Sequence, residues 1–423
     1  MESIAGHSTV YPDMPSSHSQ SNAEAYLMIH RYLPAAAFYF FLNRAGLPLG
    51  LFYTTLFAPI LFVWLYLKGQ RWLTAKFLLV ISPFMVAQLA EGVSSPMQYL
   101  RSLLLMWTVY IAVFAFCWAL MNSRNVDRLF EQLIFLNFCV AILALVIRPT
   151  PLWPLLWSDS GRVIAAGSSH LLRLNLLSTT EPWAYGELML PLLLFAAFRL
   201  LRDSRMRNLA YFVMIVFPFL LCQSFGWIGM GLAGIAILIL ANLKQLFTRA
   251  KSWIVILCVA VVVSPFLVIG NPISARAFQV IAGGDGSTNL RTIGGYIGAY
   301  AAASSKSLWW GVGLGQVKFF DFSSVGFGID NTLPNAAALT FAEFGIIGLL
   351  VRFSVELYLF ARTRVYQSPF RLAMFIVAFI SQLTGSNMDD VQSYMLWLFA
   401  FYPFFKDDDL RKATNPQVAH SAS

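Results

Sequence analysis

The chain has 423 residues, of which 58% are hydrophobic and only 12% are charged, and its mean hydropathy is +0.67. This composition lies far outside that of soluble globular proteins and is typical of polytopic membrane proteins. The formal net charge of +9 does not indicate a nucleic-acid partner, because most Lys and Arg residues stand in short gaps between apolar runs, where they indicate topology. The four cysteines lie inside apolar runs without CxxC spacing, so we predict neither a disulfide framework nor a zinc site.

Apolar runs long enough to cross a bilayer occupy most of the chain. A spanning helix needs about 20 mostly apolar residues, or fewer where its neighbours hold it. We therefore predict an all-α polytopic membrane protein with one transmembrane domain, residues 23–405. Residues 1–22, which are rich in Ser, are predicted to be a disordered cytoplasmic tail, and residues 406–423 a second cytoplasmic tail. The predicted transmembrane helices, about twelve in number, are residues 24–42, 47–67, 77–90, 102–121, 129–147, 186–201, 208–223, 226–243, 253–270, 337–360, 370–385 and 389–405.

Basic residues in the connections predict the orientation of this bundle. Connections on one side are rich in Lys and Arg, as in the four arginines within residues 199–207, whereas the short connections on the other side hold only Arg44 and Arg101. By the positive-inside rule the basic side is cytoplasmic. An even number of spans then places both termini in the cytoplasm. The two long loops, residues 148–187 and 270–337, face outward, which in a bacterial inner membrane means the periplasm.

Two features inside this layout receive structural interpretations. Arg352 and Glu356 are four residues apart on the tenth span, so they share a helix face and are expected to pair near its inner end. The run GVGLGQ, from Gly311 to Gln316, is similar to a glycine-rich nucleotide loop, but Gln316 stands where a third spaced glycine is needed and no βαβ unit surrounds it. We predict a tight turn that re-enters the membrane surface.

Two arginines of the long outer loops are the candidate site residues. Arg173 and Arg291 each lie within an otherwise apolar stretch, LLRLNLL and TNLRTIGGYIGAY. An arginine in such a setting requires an anionic partner, which its guanidinium can bind bidentately. From the residues alone, this partner is either a carboxylate, such as Glu181 or Asp330, or the diphosphate of a substrate. The chain has no P-loop, HExxH motif or nucleophile elbow.

Three short motifs lie in the outer loops and in the span that follows them. The first is Arg173 followed by TTEP, which contains Glu181; the second is Arg291 followed about seventeen residues later by LWWGVGLG. The third is NTLPNAAALTFAEFGIIGLL, which contains Asn335. The first two resemble the Arg…Ser-Glu-Pro and Arg…Pro-Leu-x-Gly-x-Gly patterns of the bacterial O-antigen polymerases, exopolysaccharide polymerases and O-antigen ligases. The third resembles the end of the large periplasmic loop of that family, and the layout of spans and loops is similar too.

This resemblance implies a GT-C-like glycosyltransferase fold and a reaction. The protein would be a polysaccharide polymerase that needs neither a metal nor a cofactor. It would join repeat units carried on undecaprenyl diphosphate at the periplasmic face: the sugar hydroxyl of the acceptor attacks the anomeric carbon of the donor glycan, and the lipid diphosphate leaves. Negative charge builds on the departing diphosphate, so arginines placed beside it would act as electrostatic catalysts. Membrane lipid, a chain-length regulator and a flippase would be its partners.

The resemblance and the charge pattern together assign roles to individual residues. Arg173 and Arg291 are the predicted catalytic arginines. Glu181 is predicted to take the proton of the attacking hydroxyl, and the alternative is a structural salt bridge with Arg173. The residues predicted to bind substrate are Arg162, Asp330, Asn335 and His170.

Two other functions remain as alternatives. A ligase of the same superfamily would transfer finished glycan to another acceptor, but in the ligases a His precedes the Asn that aligns with Asn335, and Pro334 holds that position here. A transporter of lipid-linked glycan would have internal repeats, broken helices and charges near the middle of the membrane. The sequence contains no such repeat and few charges within the spans.

Overall fold

A computed structural model of the chain describes residues 53–123, 125–159, 172–174, 182–203, 205–242, 290–325, 333, 335–385 and 391–405. Over these residues the protein is mostly helical, and the strands β1 (Trp157–Asp159) and β2 (Leu172–Leu174) form one antiparallel pair. The α-helices are α1 (Tyr53–Leu67), α2 (Leu73–Ala90), α3 (Pro96–Met121), α4 (Val126–Ile147), α5 (Pro182–Arg202), α6 (Met206–Leu221), α7 (Phe225–Ala241), α8 (Gly295–Ser304), α9 (Ala336–Arg362), α10 (Pro369–Thr384) and α11 (Val391–Phe401).

Among the described helices, five are long and apolar enough to cross a membrane: α2, α3, α4, α5 and α9. Helices α1, α6, α7 and α10 are apolar but shorter. This set is compatible with a multi-pass membrane protein. Of the predicted spans, residues 24–42 and 253–270 lie outside the described residues, and each of the others overlaps a described helix. The total of twelve spans stays a prediction.

Capping residues place several helix starts where hydropathy alone did not. The side-chain oxygens of Ser95, Asn125 and Ser368 each accept a hydrogen bond from a backbone N–H in the first turn of α3, α4 and α10. Such side chains satisfy N–H groups that have no partner inside the helix. Helix α3 therefore begins at Pro96 rather than at the predicted residue 102, because its cap lies beyond the apolar run.

Helix α5 is the centre of the bundle. Nearly all of its residues from Ala184 to Arg202 are buried, and it packs against α4, α6, α7, α10 and α11. The ring of Phe130 in α4 meets the rings of Phe195, Phe399 and Phe405 at centroid distances of 5.1–5.2 Å, which joins α4, α5 and α11. A helix that is apolar all round is the expected occupant of such a core.

One end of the bundle is held by ion pairs, and we call it the ion-pair end. Arg199, near the end of α5, lies 3.3 Å from Asp127 Oδ2 and 3.7 Å from Glu131 Oε1, both in the first turns of α4. Arg207, at the start of α6, lies 3.5 Å from Glu131. These groups line a cleft of about 370 Å³. At the same end, buried Arg371 at the start of α10 donates to carbonyls at the ends of α9 and α11.

The opposite end of the bundle carries the candidate site, and we call it the glycine end. Helix α10 connects the two ends. Near its start, the ring of Phe370 contacts that of Phe198, the residue before Arg199. Beyond its last residue, Gly385 lies beside the guanidinium of Arg291. Of the two long loops that were predicted to face the same side, Arg173 lies near the residue that follows α6, and Arg291 lies beside the residue that follows α10.

Candidate functional site

Arg291 lies where three elements of the glycine end meet. It belongs to a π-helical turn, Leu290–Gly294, that leads into α8. Its carbonyl accepts a hydrogen bond from Nδ2 of Asn335 at 2.7 Å. Its Nη1 atom would stand 3.6 Å from a Cβ on Gly385, so the guanidinium is beside the carboxyl-terminal end of α10. The partial negative charge of a helix C-terminus stabilises an arginine in this position.

Asn335 connects Arg291 to the start of α9. Its side chain is fully buried, and its Oδ1 accepts from the N–H of Ala338 at 2.6 Å as the N-cap of α9. The same amide donates to the carbonyl of Arg291. Both ends of the side chain are thus bonded to the backbone. The structure gives Asn335 a role in fixing Arg291, whereas its predicted contact with substrate stays a prediction.

Helix α9 is broken near the glycine end. Gly345 has φ 66° and ψ −166°, so the helical path stops there and restarts at the next residue. The backbone groups released by this break bond to residues 308–316, which we call the glycine segment. The N–H groups of Val312 and Gly313 donate to carbonyls just before the break, at 2.9 and 3.2 Å. The N–H groups of Ile346 and Ile347 donate back to carbonyls of the glycine segment.

Glycine is required at both sides of this contact. Gly311, Gly313 and Gly315 have φ values of 76°, 102° and 70°, which lie in the left-handed region that L side chains rarely adopt. A Cβ on Gly311 would overlap the backbone of Glu343, and a Cβ on Gly345 would overlap the carbonyl of Trp309. The tight turn predicted for GVGLGQ is confirmed by the hydrogen bond from the N–H of Gln316 to the carbonyl of Gly313, and its entry into the membrane surface stays a prediction. Gly311 allows the close approach to the backbone of α9, whereas Gly315 faces the side chain of Ser102.

Buried polar side chains hold the glycine segment against α2, α3 and α9, and Gln88 among them was not a predicted site residue. Gln88 is fully buried and donates to the carbonyls of Trp310 and Glu343 at 3.1 and 2.8 Å. It accepts from the hydroxyl of Tyr99 at 3.0 Å. Glu343 accepts from the N–H of Gly315 at 2.9 Å. A lone glutamine inside the apolar run of α2 was the available signal, since a buried amide requires partners.

Lys306 braces the glycine segment from the side of α8. Its Nζ donates to the carbonyl of Val312 at 3.3 Å. Burial lowers the pKa of this amine, and the nearby carboxylate of Glu91 opposes the shift. The lysine therefore acts as a local donor to the segment.

A second polar cluster lies beneath Arg291, between α9 and α10. Nε of Arg352 donates to Glu356 at 3.1 Å and to Gln382 at 2.8 Å, and the amide of Gln382 donates to Glu356 at 2.7 Å. The predicted pairing of Arg352 with Glu356 is confirmed. Its predicted place near the inner end stays a prediction; Gln382, which contacts both residues, lies in the last turn of α10.

Tyr296 of α8 joins this neighbourhood. Its hydroxyl donates to the carbonyl of Leu383 at 3.1 Å. Burial raises the pKa of the phenol, and the positive charge of Arg352 opposes the rise. The last turn of α10 is therefore held by side chains from both α8 and α9.

Arg173 lies at the same end of the bundle but on other elements. It stands in β2 opposite Ser158, and the strand packs against α5 and α6. The guanidinium of Arg173 lies near Cys222, which follows the last residue of α6. The structure thus brings Arg291 and Asn335 into direct contact, while Arg173 lies beside α5 and α6. The other predicted site residues lie outside the described residues; they are Arg162, His170, Glu181 and Asp330.

Glu187 is a buried carboxylate that the sequence analysis placed at the edge of a loop. Helix α5 begins at Pro182, so Glu187 lies within it, only 1% exposed. The predicted loop 148–187 therefore ends earlier than expected. Glu187 accepts a hydrogen bond from the hydroxyl of Ser393 in α11 at 2.7 Å. Glu187 stands just before the apolar run that begins at Met189, and the sequence around it does not indicate which helix would contact it.

Comparison with known proteins adds no relative: no protein-family model matches the chain, and no curated protein is significantly similar to it. In the described part of the chain, no group of three or more His, Cys, Asp or Glu side chains could hold a metal ion. Fold and site together define a helical protein compatible with multi-pass membrane insertion, with a rigid arginine-containing centre at one end.

Proposed function

We propose that this protein is a polysaccharide polymerase that joins undecaprenyl-diphosphate-linked repeat units at the periplasmic face of a bacterial inner membrane. The observation that carries the proposal is the contact between Arg291 and Asn335. They belong to two different motifs of the polymerase resemblance, 44 residues apart, and a hydrogen bond of 2.7 Å joins them. The LWWGVGLG motif packs into the break of the helix that Asn335 begins. Two motifs that are separate in sequence thus form one structural unit around an arginine.

In the proposed reaction, arginines stabilise the leaving group. The acceptor hydroxyl attacks the anomeric carbon of the donor, the bond to the lipid diphosphate breaks, and the hydroxyl proton passes to a carboxylate, for which Glu181 is the candidate. Arg291 and Arg173 stabilise the charge on the departing diphosphate. A hydrogen-bond donor that is held in place before the reaction does not have to reorganise when charge develops on the leaving group. The backbone contacts around Arg291 hold it in this way. Twelve spans with both termini in the cytoplasm complete the proposed topology.

A transporter of lipid-linked glycan is the second candidate. The break at Gly345 and the charges of Arg352 and Glu356 within α9 are features that transporters use. However, Arg352 and Glu356 are bonded to each other and to Gln382, which leaves them closed within the protein. A ligase remains less favoured because Pro334 replaces the His that precedes the aligned Asn.

The test is polymerisation by purified protein in nanodiscs, supplied with undecaprenyl-diphosphate-linked repeat units from the source organism and with no nucleotide. We expect a ladder of lengthening glycans from the wild type. Arg291→Ala should lower the rate of elongation by about 100-fold or more, the loss typical for one preplaced electrostatic donor. The matched control is Arg205→Ala, because Arg205 is 77% exposed and pairs only with neighbouring Asp203 among the described residues.

The outcomes separate the candidate functions. A ladder that is lost in Arg291→Ala and kept in Arg205→Ala supports the polymerase. Transfer that appears only after a core-lipid acceptor is added would identify a ligase. Movement of intact repeat units across the bilayer without elongation would identify a transporter, and either of these results would contradict the proposal.

A further inference from the structure

The break in α9 brings together two residues that a continuous helix would keep apart. Thr340 precedes the break and Arg352 follows it, twelve residues later. In a straight helix they would be separated by about 18 Å along the axis. In the structure, Nη1 of Arg352 donates to Oγ1 of Thr340 at 2.9 Å. The arginine thus fastens the two halves of the broken helix to each other.

The anchored side of this contact is closed and buried. Gln382 is fully buried and Glu356 is 7% exposed. Nε of Arg352 donates to both side chains, and Gln382 donates to the second oxygen of Glu356. A carboxylate neutralises the guanidinium at its own site, and two side chains, those of Glu356 and Gln382, hold its Nε. Arg352 is therefore poorly suited to bind a second anion. Its Nη1 is instead fixed in a position to hold Thr340.

The hydroxyl of Thr340 connects Arg352 to the segment that contacts Arg291. Oγ1 of Thr340, besides accepting from Arg352, donates to the carbonyl of Ala336 at 2.7 Å. Ala336 is the first residue of α9 and follows Asn335, which donates to the carbonyl of Arg291. Hydrogen bonds from Glu356 through Arg352 and Thr340 to Ala336, one covalent step to Asn335 and a last hydrogen bond thus connect the buried carboxylate to the backbone of Arg291.

We propose that Arg352 is a positioning residue, which holds residues 336–344 through Thr340 and thereby fixes Arg291 relative to α10. For catalysis this role rests on the proposed function, in which Arg291 stabilises the leaving diphosphate. The role in fixing the backbone is independent of that function. A displacement of about 1 Å at a reacting group is enough to lower a rate about 100-fold.

Thr340→Val is the variant that tests this contact with the least disturbance. It removes the hydroxyl that Arg352 holds and keeps the Arg352–Glu356–Gln382 cluster complete. Thr108→Val is the matched control, because Thr108 is 3% exposed in α3 and its hydroxyl also donates to a carbonyl of its own helix, that of Leu105 at 2.7 Å. Both variants lose a buried hydroxyl, and only one loses a contact with an arginine.

The first measurement is hydrogen exchange of the full-length protein in nanodiscs, followed by mass spectrometry. We expect residues 290–294 and 336–344 to exchange about 10-fold faster in Thr340→Val, which corresponds to the loss of one hydrogen bond to a charged group. Thr108→Val should leave these segments unchanged, and Thr340→Ser should restore their protection because it keeps the hydroxyl. Equal exchange in Thr340→Val and Thr108→Val would overturn the proposal.

The second measurement is elongation in the polymerisation assay. Thr340→Val should lower the maximal rate by about 10-fold with the half-saturating substrate concentration within about twofold of the wild type, and Thr340→Ser should recover it. Faster exchange in Thr340→Val together with a wild type that builds no ladder would support the positioning of Arg291 and contradict the polymerase. Faster exchange with normal elongation would overturn the catalytic part of the inference.

Discussion

The two ends of the bundle are built from different interactions. At the ion-pair end, long side chains pair at 3.3–3.7 Å while remaining partly exposed, and Arg207 is 60% exposed. At the glycine end, the backbones of the glycine segment and of α9 touch at Gly311 and Gly345. The side chains of Gln88 and Asn335 are buried there and form hydrogen bonds with backbone groups. Exposed pairs can rearrange at little cost, whereas a contact between two backbones has one geometry. The glycine end is therefore the part suited to a preorganised site.

Burial inside the protein explains why the glycine end is so fully bonded. A buried backbone N–H or carbonyl without a hydrogen-bond partner costs about 1–3 kcal/mol. The break at Gly345 exposes backbone groups of α9, and the glycine segment bonds to them from both sides. The hydrogen bonds between the glycine segment and α9 therefore exist because the helix is broken at Gly345. Among the described residues the ion-pair end has no such break. Its ion pairs join α4, α5 and α6, and Arg371 joins the start of α10 to the ends of α9 and α11.

The largest expected effect comes from Gly345→Ala, which attacks the backbone contact itself. The substitution combines a left-handed φ of 66° with an overlap against the carbonyl of Trp309, and we expect a loss of about 3 kcal/mol or more. Gly229→Ala is the matched control, because a Cβ there meets nothing within 4 Å. The measurement is the midpoint of thermal unfolding in detergent, followed by tryptophan fluorescence. Equal midpoints for the two variants would remove the distinction between the ends.

Features of the fold that depend on local sequence could be predicted, whereas features that depend on contacts between distant residues could not. Hydropathy located most of the described helices because the apolar length of a run is a local property of the sequence. The same property hid the break in α9, since Gly345 and Gly348 look alike within FGIIGLL, yet only Gly345 leaves the helical path. The two glycines differ in that the carbonyl of Trp309 lies so close to Gly345 that a Cβ there would overlap it. Helix α8 was not predicted because its 10 residues are too few to cross a membrane and hydropathy does not distinguish such a short helix.

The candidate site was predictable only in its parts. The apolar surroundings of Arg291 indicated that its charge needs a partner, and the motif around Asn335 indicated a helix entry. Neither showed that the two residues touch, because their contact depends on how α8 packs against α9. Gln88 lies 255 residues from Glu343, whose carbonyl it binds. A contact over that distance depends on how α2 packs, which one sequence does not reveal.

Asn335→Asp tests the connection between the glycine end and Arg291 with an intermediate effect. The aspartate can still cap α9, and its charge suits a helix N-terminus, but it loses the amide that donates to the carbonyl of Arg291. We expect a loss of about 1–2 kcal/mol in stability, the cost of an unmade buried hydrogen bond. In the elongation assay the rate should fall more than stability does, since Arg291 is displaced.

The control for this variant lies at the other end. Asn125 caps α4 in the same way, with its Oδ1 accepting from the N–H of Arg128 at 3.1 Å, and it is exposed. Asn125→Asp should leave both the unfolding midpoint and elongation unchanged, because aspartate and asparagine are equivalent caps. If the two substitutions behaved alike, the amide of Asn335 would have no role beyond capping.

The smallest effect is expected from Glu131→Gln, which weakens the ion-pair end where two arginines share one carboxylate. Glutamine keeps the size of the side chain and removes its charge, so the attraction to Arg199 and Arg207 is lost. Because these pairs are partly exposed, we expect a loss of at most about 1 kcal/mol, and one that shrinks as salt is raised from 0.05 to about 0.5 M. Unfolding midpoints across this salt range, with elongation measured in parallel, provide the check. A loss as large as that of Asn335→Asp, or one that salt does not reduce, would show that ion pairs at one end hold the bundle as firmly as backbone contacts do at the other.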